Sequence, residues 1–194
     1  MPTLLLKENY KRATWKNGLG FTDEIAIHPT DASLIQGNFL WRLSSARIEK
    51  ASPFSVFPNH DRILIILKGA GVKLIHTFEE GGEEEVVEIP VLEPYEFPGD
   101  VPSRCELLDG GITDFSIFIR KGEVEPMVQM EEVQNGENYT WNAVGKWNFA
   151  FVISGKFNTS LGLLNEGNTL STEQGSIALE SLNQGSRLLL ISLG

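Results

Sequence analysis

Ile63-Leu64-Ile65-Ile66-Leu67-Lys68-Gly69-Ala70-Gly71 is an apolar run closed by a lysine and two glycines. A short continuous apolar run bounded by turn residues is the signature of a strand buried on both faces. The glycines supply the hairpin turn into a second apolar strand. The same pattern returns at Phe149-Ala150-Phe151-Val152-Ile153-Ser154-Gly155. Further on, Leu92-Glu93-Pro94-Tyr95-Glu96-Phe97-Pro98-Gly99-Asp100 corresponds to Leu170-Ser171-Thr172-Glu173-Gln174-Gly175-Ser176. Each runs to a glycine turn and then to a closing strand, 114–120 in one case and 187–193 in the other.

Around these anchors the chain shows many short β-rich runs, at 21–28, 39–48, 63–68, 71–78, 85–92, 104–109 and 114–120. A second series follows at 148–153, 157–164, 176–181 and 187–193. Long helical periodicity is nearly absent. Short strands with regular turn signals predict an all-β sandwich or barrel, and the recurring turn placement predicts two tandem copies of one small barrel. Residues 1–122 are expected to form the N-terminal barrel. Residues 123–194 are expected to form a connection and a smaller C-terminal barrel, packed with the first as one compact unit. Residues 121–141 read as that connection, and the acidic stretch Glu79-Glu80-Gly81-Gly82-Glu83-Glu84-Glu85 as an exposed hairpin tip.

Composition narrows the class. With 194 residues, 41% hydrophobic, the chain is a globular one. Sixteen Lys and Arg against 26 Asp and Glu give a net charge of -10, a field that repels phosphate backbones and anionic lipid. No nucleic acid or membrane is therefore expected as a partner. The basic residues Lys7, Lys11, Arg12 and Lys16 are interrupted by Glu8 and read as a solvated strand edge. No apolar run reaches the length that crosses a bilayer. Met1-Pro2-Thr3-Leu4-Leu5-Leu6-Lys7-Glu8 lacks the basic start of a signal peptide. The single cysteine, Cys105, fits a reducing compartment and reads as structural. These features together predict a cytoplasmic protein.

The stretch Thr14-Trp15-Lys16-Asn17-Gly18-Leu19-Gly20-Phe21-Thr22-Asp23-Glu24 packs an indole, an amide, two glycines and two carboxylates into a turn that enters a strand. Asn17-Gly18 is a turn dipeptide. Gly18 and Gly20 can take positive φ and let the backbone approach a ligand. In the strand, alternation places Thr22, Glu24, Ala26 and His28 on one face and Phe21, Asp23, Ile25 and Ile27 on the other. Such a turn suits a binding concavity or a plain hairpin corner equally.

Two further strings move the balance toward the concavity. Phe39-Leu40-Trp41-Arg42-Leu43-Ser44-Ser45-Ala46 carries an arginine inside an apolar strand. Pro53-Phe54-Ser55-Val56-Phe57-Pro58-Asn59-His60-Asp61-Arg62 feeds the opening run. With Phe97-Pro98-Gly99-Asp100 and Asp114-Phe115-Ser116, these strings resemble the HutD/Ves family of cupin-like proteins. The family pattern is W-x-N-G-x-G-x-T-x-E, W-R-x-S-x-A, F-S-x-F, D-R, F-x-G-D and D-F-N. It is matched in order over roughly residues 1 to 122, with Ser116 standing where the pattern has asparagine. The resemblance implies a bicupin of two RmlC-like β-barrels with neither metal nor cofactor. It also implies a link to histidine utilisation, with a small acidic ligand such as an N-formyl or formimino glutamate.

Cupin enzymes usually hold a metal through an H-x-H pair, because side chains two apart on a strand share a face. The only histidines, His28, His60 and His76, have no such spacing. Walker, dinucleotide-binding and nucleophile-elbow motifs are absent as well. What remains is charge on apolar strands: Glu24, Arg42, Arg62 and Asp114. One reading is a pair of structural salt bridges, Glu24 with Arg42 and Asp114 with Arg62. The other is a pocket whose two guanidiniums clamp a carboxylate. In the second reading Trp15, Asn17, Gly18, Gly20, Thr22, Glu24, Arg42, Ser44, Arg62 and Asp114 converge at the mouth of the first barrel. Three functions follow: a small-molecule binder in a regulatory role, an enzyme using Glu24 or Asp114 as acid/base on a small amide or sugar acid, and an interaction protein whose second barrel forms a homodimer. A carboxylate beside an arginine is expected to have a depressed pKa, which disfavours the enzyme.

Overall fold

The computed structural model describes residues 1–15, 18, 20–78 and 82–194. Asn17 and the tip of the acidic hairpin lie outside the described residues. Among those described there is no α-helix; Lys7–Asn9 forms one 3-10 turn, and the rest of the regular structure is strand. No helix among the described residues is long and apolar enough to cross a membrane. The chain divides into two compact units, Lys11–Val124 and Met1–Tyr10 with Glu125–Gly194.

In the Lys11–Val124 unit a six-stranded antiparallel sheet runs in the order Lys11–Thr14, Gly20–His28, Trp41–Ile48, Ile112–Arg120, His60–Lys68, Tyr95–Pro98. A four-stranded sheet runs Ser52–Pro53, Ser103–Leu107, Val72–Thr77, Glu84–Ile89. The opening apolar run is a central strand, which is why it lacks polar alternation: Ile63 to Leu67 are all buried. The core joins Ala46, Ile48, Leu64 and Ile66 from the large sheet to Val72, Leu74 and Cys105 from the small one.

The second unit repeats this order. Pro126–Val133, Ser186–Leu193, Trp147–Ser154 and Thr169–Thr172 lie side by side as Trp41–Ile48, Ile112–Arg120, His60–Lys68 and Tyr95–Pro98 do. Its small sheet, Asn138–Ala143, Gly175–Ser181, Lys156–Thr159, Gly162–Asn165, matches the other in the same way. Even the register irregularity recurs. The pairing slips between Thr113 and Asp114 against Lys68 and Ile66, and between Arg187 and Leu188 against Ser154 and Val152. Two copies of one barrel topology account for the spacing read from the turns.

Three details differ from the sequence reading. Thr3–Leu5 pairs with Thr169–Thr172, Leu4 packs on the second core, and the Tyr10 hydroxyl reaches the Gly167 carbonyl at 2.9 Å. The first ten residues thus belong with the second barrel. The 121–141 connection contains two strands, Pro126–Val133 and Asn138–Ala143. The first is an edge strand, half-exposed and rich in Gln and Glu, so it lacks an apolar period. The 157–164 run is a tight hairpin, with Thr159 opposite Gly162 at φ 125°.

The central strand makes a quantitative demand. Leu64→Ala is expected to cost about 2–5 kcal/mol in urea unfolding, as large-to-small changes in closed cores do. Val86→Ala, on an exposed face, is expected to change stability by less than about 0.5 kcal/mol.

Candidate functional site

Register places the charged residues. On the large sheet Phe118 pairs with both Arg42 and Arg62, Ser116 with Ser44 and Leu64, and Asp114 with Ala46 and Ile66. Residues paired across a sheet share its face, so these side chains form one patch inside the barrel. Thr22 and Glu24 join it opposite Ala46 and Ser44. The alternation then breaks at a bulge between Glu24 and Ala26, which puts Ile27, not His28, beside Arg42. His28 instead pairs with Trp41 and stacks on it, ring centroids 5.6 Å apart. Strict period-two counting put His28 with Glu24, and a single inserted residue undoes it.

The patch floors a cavity of about 420 Å³ whose lining includes Trp15, Thr22, Arg42, Ser44, Arg62 and Asp114. Glu24 stands behind: its Oε2 accepts a hydrogen bond from Arg42 Nε at 2.8 Å. Arg42 Nη1 donates to Ser44 Oγ at 3.1 Å, and Trp15 Nε1 donates to Thr22 Oγ1 at 2.9 Å. Gly18 sits in the turn at φ 68°. Gly20 needs no positive φ. It is required because a Cβ there would collide with the Arg47 carbonyl oxygen. Neither glycine lines the cavity.

Arg62 is confined by a serine and two phenyl rings. Its Nε and Nη2 both donate to Ser116 Oγ, at 3.3 and 2.8 Å, and its guanidinium lies 4.1 Å from the Phe54 ring centroid and 5.0 Å from that of Phe118. Asp114 Oδ1 accepts from the Ala46 backbone N–H at 2.9 Å. Its Oδ2 is sealed from water without a hydrogen-bond partner, and Arg62 Nη2 stands 3.7 Å away. Both salt bridges foreseen on the strands are thus present, together with the cavity. Arg42 Nη2 and Arg62 Nη1 have no hydrogen-bond partner among the described residues, and neither is a sealed atom. Both residues line the cavity.

Burial governs the protonation of this pair. It pushes the Arg62 pKa down to about 10, against the pull of Asp114. It pushes Asp114 up to about 6, against Arg62, the Ala46 N–H and Arg42. The sequence reading expected a depressed carboxylate. At 3.7 Å, without a direct hydrogen bond, the arginine does not offset the loss of water.

Phe54, Phe57, Ser116 and Phe118 also line the cavity, and sequence reasoning did not select them. Phe54 and Phe57 lay within the quoted F-S-x-F string, but Phe118 gains its meaning only from register. Among the described residues no group of three or more His, Cys, Asp or Glu could hold an ion. The His60 ring nitrogens lie 2.8 and 2.9 Å from the Pro58 and Phe39 carbonyls, and those of His76 2.8 and 3.2 Å from Ser103 Oγ and Tyr95 OH.

The second barrel holds no such set. Its register counterparts of Arg42, Arg62 and Asp114 are Met127, Asn148 and Leu188. Asn148 is consumed by the Gly145 backbone, at 2.9 and 2.7 Å.

The ion pair predicts a pH signature. Arg62→Met removes the cation facing Asp114, so the aspartate pKa rises further. At pH 8 the variant must carry either an unpaired buried carboxylate or a proton that the parent lacks. The pH-dependent part of its loss of stability is expected to reach about 2–3 kcal/mol, at most about 1.4 kcal/mol per pH unit above about 6. Below about pH 6 the carboxyl is protonated in both proteins and this electrostatic part of the loss disappears. Urea unfolding at pH 8 and pH 5.5 measures the difference.

The chain was compared with known proteins. It matches the HutD family over residues 7–189. An uncharacterized 21.2 kDa protein in the hutC 3′ region of Pseudomonas putida is 37% identical over 115 residues, 59% of this chain and 56% of that one. Protein Ves of Cronobacter sakazakii is 27% identical over 176 residues, 90% of this chain and 89% of the relative. The structure of HutD from Pseudomonas fluorescens SBW25, in a formate condition, superposes with a TM-score of 0.76 at 26% identity, covering 100% of this chain and 98% of that one. At 9% identity, hazelnut vicilin shares the fold alone, with a TM-score of 0.74 over 97% of this chain and 84% of its own. The strand order, the ordered motifs and the match across most of the chain agree: this protein belongs to the HutD family and has the cupin fold.

Proposed function

We infer that the protein is a cytoplasmic small-molecule binder in which the first barrel takes up a small organic acid without a metal ion, in a regulatory role. The observation that carries this reading is the pair of confined guanidiniums of Arg42 and Arg62, two residues that line a cavity of about 420 Å³. Ligand sites of this size class combine apolar walls with a few placed polar groups, and here Trp15, Phe54, Phe57 and Phe118 supply the walls. A guanidinium fork matches a carboxylate. Glu24 fixes the first fork, and Ser116 with the phenyl rings fixes the second, so little ordering is left to be lost on binding. The HutD relatives and the hutC-region neighbour support a ligand from histidine utilisation, an N-formyl or formimino glutamate.

The enzyme reading draws on Asp114, whose pKa of about 6 is suited to acid/base work. Its geometry argues the other way. Asp114 borders the cavity, but Oδ1 already accepts from Ala46 and Oδ2 is sealed from water, which argues against a carboxylate poised to exchange a proton with a bound molecule.

Thermal-shift and calorimetric titration with N-formyl-L-glutamate, glutarate and the dimethyl ester of glutarate tests the inference. The acids are expected to stabilise and bind, with no need for added divalent metal, and the ester is not. Arg42→Gln and Arg62→Gln are each expected to weaken binding by about 1.5–3 kcal/mol, the range of one charged hydrogen bond. Glu83→Gln, on the exposed acidic hairpin, is expected to leave binding unchanged. Binding that survives both arginine replacements, or turnover of a titrant, contradicts the reading.

A further inference from the structure

Asp114 is 1% exposed, yet one of its oxygens has no hydrogen bond and the nearest cation stands 3.7 Å off. That cation is not dedicated to it. Arg62 gives two N–H groups to Ser116 and also lines the cavity. One guanidinium therefore serves a buried carboxylate and the ligand space at once.

We propose that binding of an organic anion in this cavity is coupled to uptake of a proton by Asp114, so that the site takes a carboxylate together with a proton from solvent. The proposal rests on the carboxylate-binding reading above and adds its regulation by pH. The step balances as ionised protein plus ligand anion plus one proton giving the complex with a neutral Asp114 carboxyl; no bond to carbon forms or breaks.

The physical reason is competition for one charge. An arriving carboxylate draws on Arg62 and adds negative charge to a low-dielectric space. Asp114 has no second hydrogen bond on Oδ2 to hold its own charge. Of the two anions, it is the one with nowhere to move and no water. Protonating it removes the repulsion and leaves both guanidiniums to the ligand.

The charged and titratable groups around Asp114 are few. Arg62 faces it from His60–Lys68 and Arg42 from Trp41–Ile48. Cys105 faces it from Ser103–Leu107 and stays a thiol, because burial pushes its pKa up. Glu24, on Gly20–His28, is tied to Arg42 Nε. The Arg62 guanidinium already carries its proton, so Asp114 is the group left to take one up. In the free protein burial sets Asp114 near 6. Ligand negative charge moves it up, so the complex holds more protons than the free protein and is favoured as pH falls.

Isothermal titration of the full chain with N-formyl-L-glutamate in two buffers of different ionisation enthalpy reads the coupling directly. At pH 7 to 7.5 net proton uptake is expected. The Kd is expected to tighten by up to about tenfold per pH unit as pH falls. It should level below about 6, where the free protein is already protonated. Asp114→Asn, a neutral isostere, is expected to bind with no uptake and a flat Kd from pH 6 to 8. Wild-type binding with no proton uptake and a Kd that changes less than twofold over that range overturns the coupling alone. Absence of binding at every pH overturns the carboxylate reading, and the coupling with it. The wild-type measurement decides the matter even where the variant fails to fold.

Discussion

A charge inside a β-barrel has to be held by neighbours, because water no longer holds it. Arg42 and Arg62 project from the inner face of the large sheet among Leu64, Ile66 and Phe118, and their exposures are 5% and 7%. Glu24 answers the first with a direct hydrogen bond at 2.8 Å. Asp114 answers the second only across 3.7 Å. Buried ion pairs seldom repay their desolvation, and here burial, against the pull of each partner, pushes the carboxyl toward neutrality and the guanidinium below its usual range. The rest of the first barrel is arranged around that cost. Ser44 and Ser116 accept from the guanidiniums, Phe54 and Phe118 cover Arg62, and small residues at Ala46 and Thr22 leave a cavity in front of both.

The second barrel shows what the same topology does when released from that cost. Leu188 takes the place of Asp114 and packs with Ala150, Val152 and Leu190 into an apolar core. Asn148 takes the place of Arg62 and turns its amide to the Gly145 backbone. Met127 takes the place of Arg42 on an edge strand, mostly exposed. The buried pair of guanidiniums therefore exists in one copy only. The side chains differ at equivalent register positions, and among the described residues no strand lies beside Pro126–Val133 where Gly20–His28 brings Thr22 and Glu24 to the first barrel.

Much of this was legible in the sequence, for identifiable reasons. Central strands such as 63–67 and 149–153 announce themselves because both faces are buried. Arg42, Arg62 and Asp114 stood out because charge on such strands is rare. Edge strands were the losses. Pro126–Val133 alternates too weakly to be read as anything but a connection, and the first ten residues gave no sign of which barrel they would complete. Bulges were the other loss. The inserted residue near Ile25 reverses the face of His28, and nothing in local composition marks it. The aspartate pKa could not be read from spacing at all, because its sign depends on a distance, 3.7 Å, that only the packed barrel fixes.

The central claim is that Arg42 and Arg62 receive an organic anion. Nitrogen-resolved NMR of the arginine side chains during titration with N-formyl-L-glutamate tests it without mutation. The Nε–H signals of Arg42 and Arg62 are expected to shift together and saturate with a single Kd. Those of Arg104 and Arg187, which are paired at the surface with Glu84 and Glu132, are expected to stay in place. Signals of the two barrel arginines that remain fixed while the surface arginines drift without saturation would contradict the account.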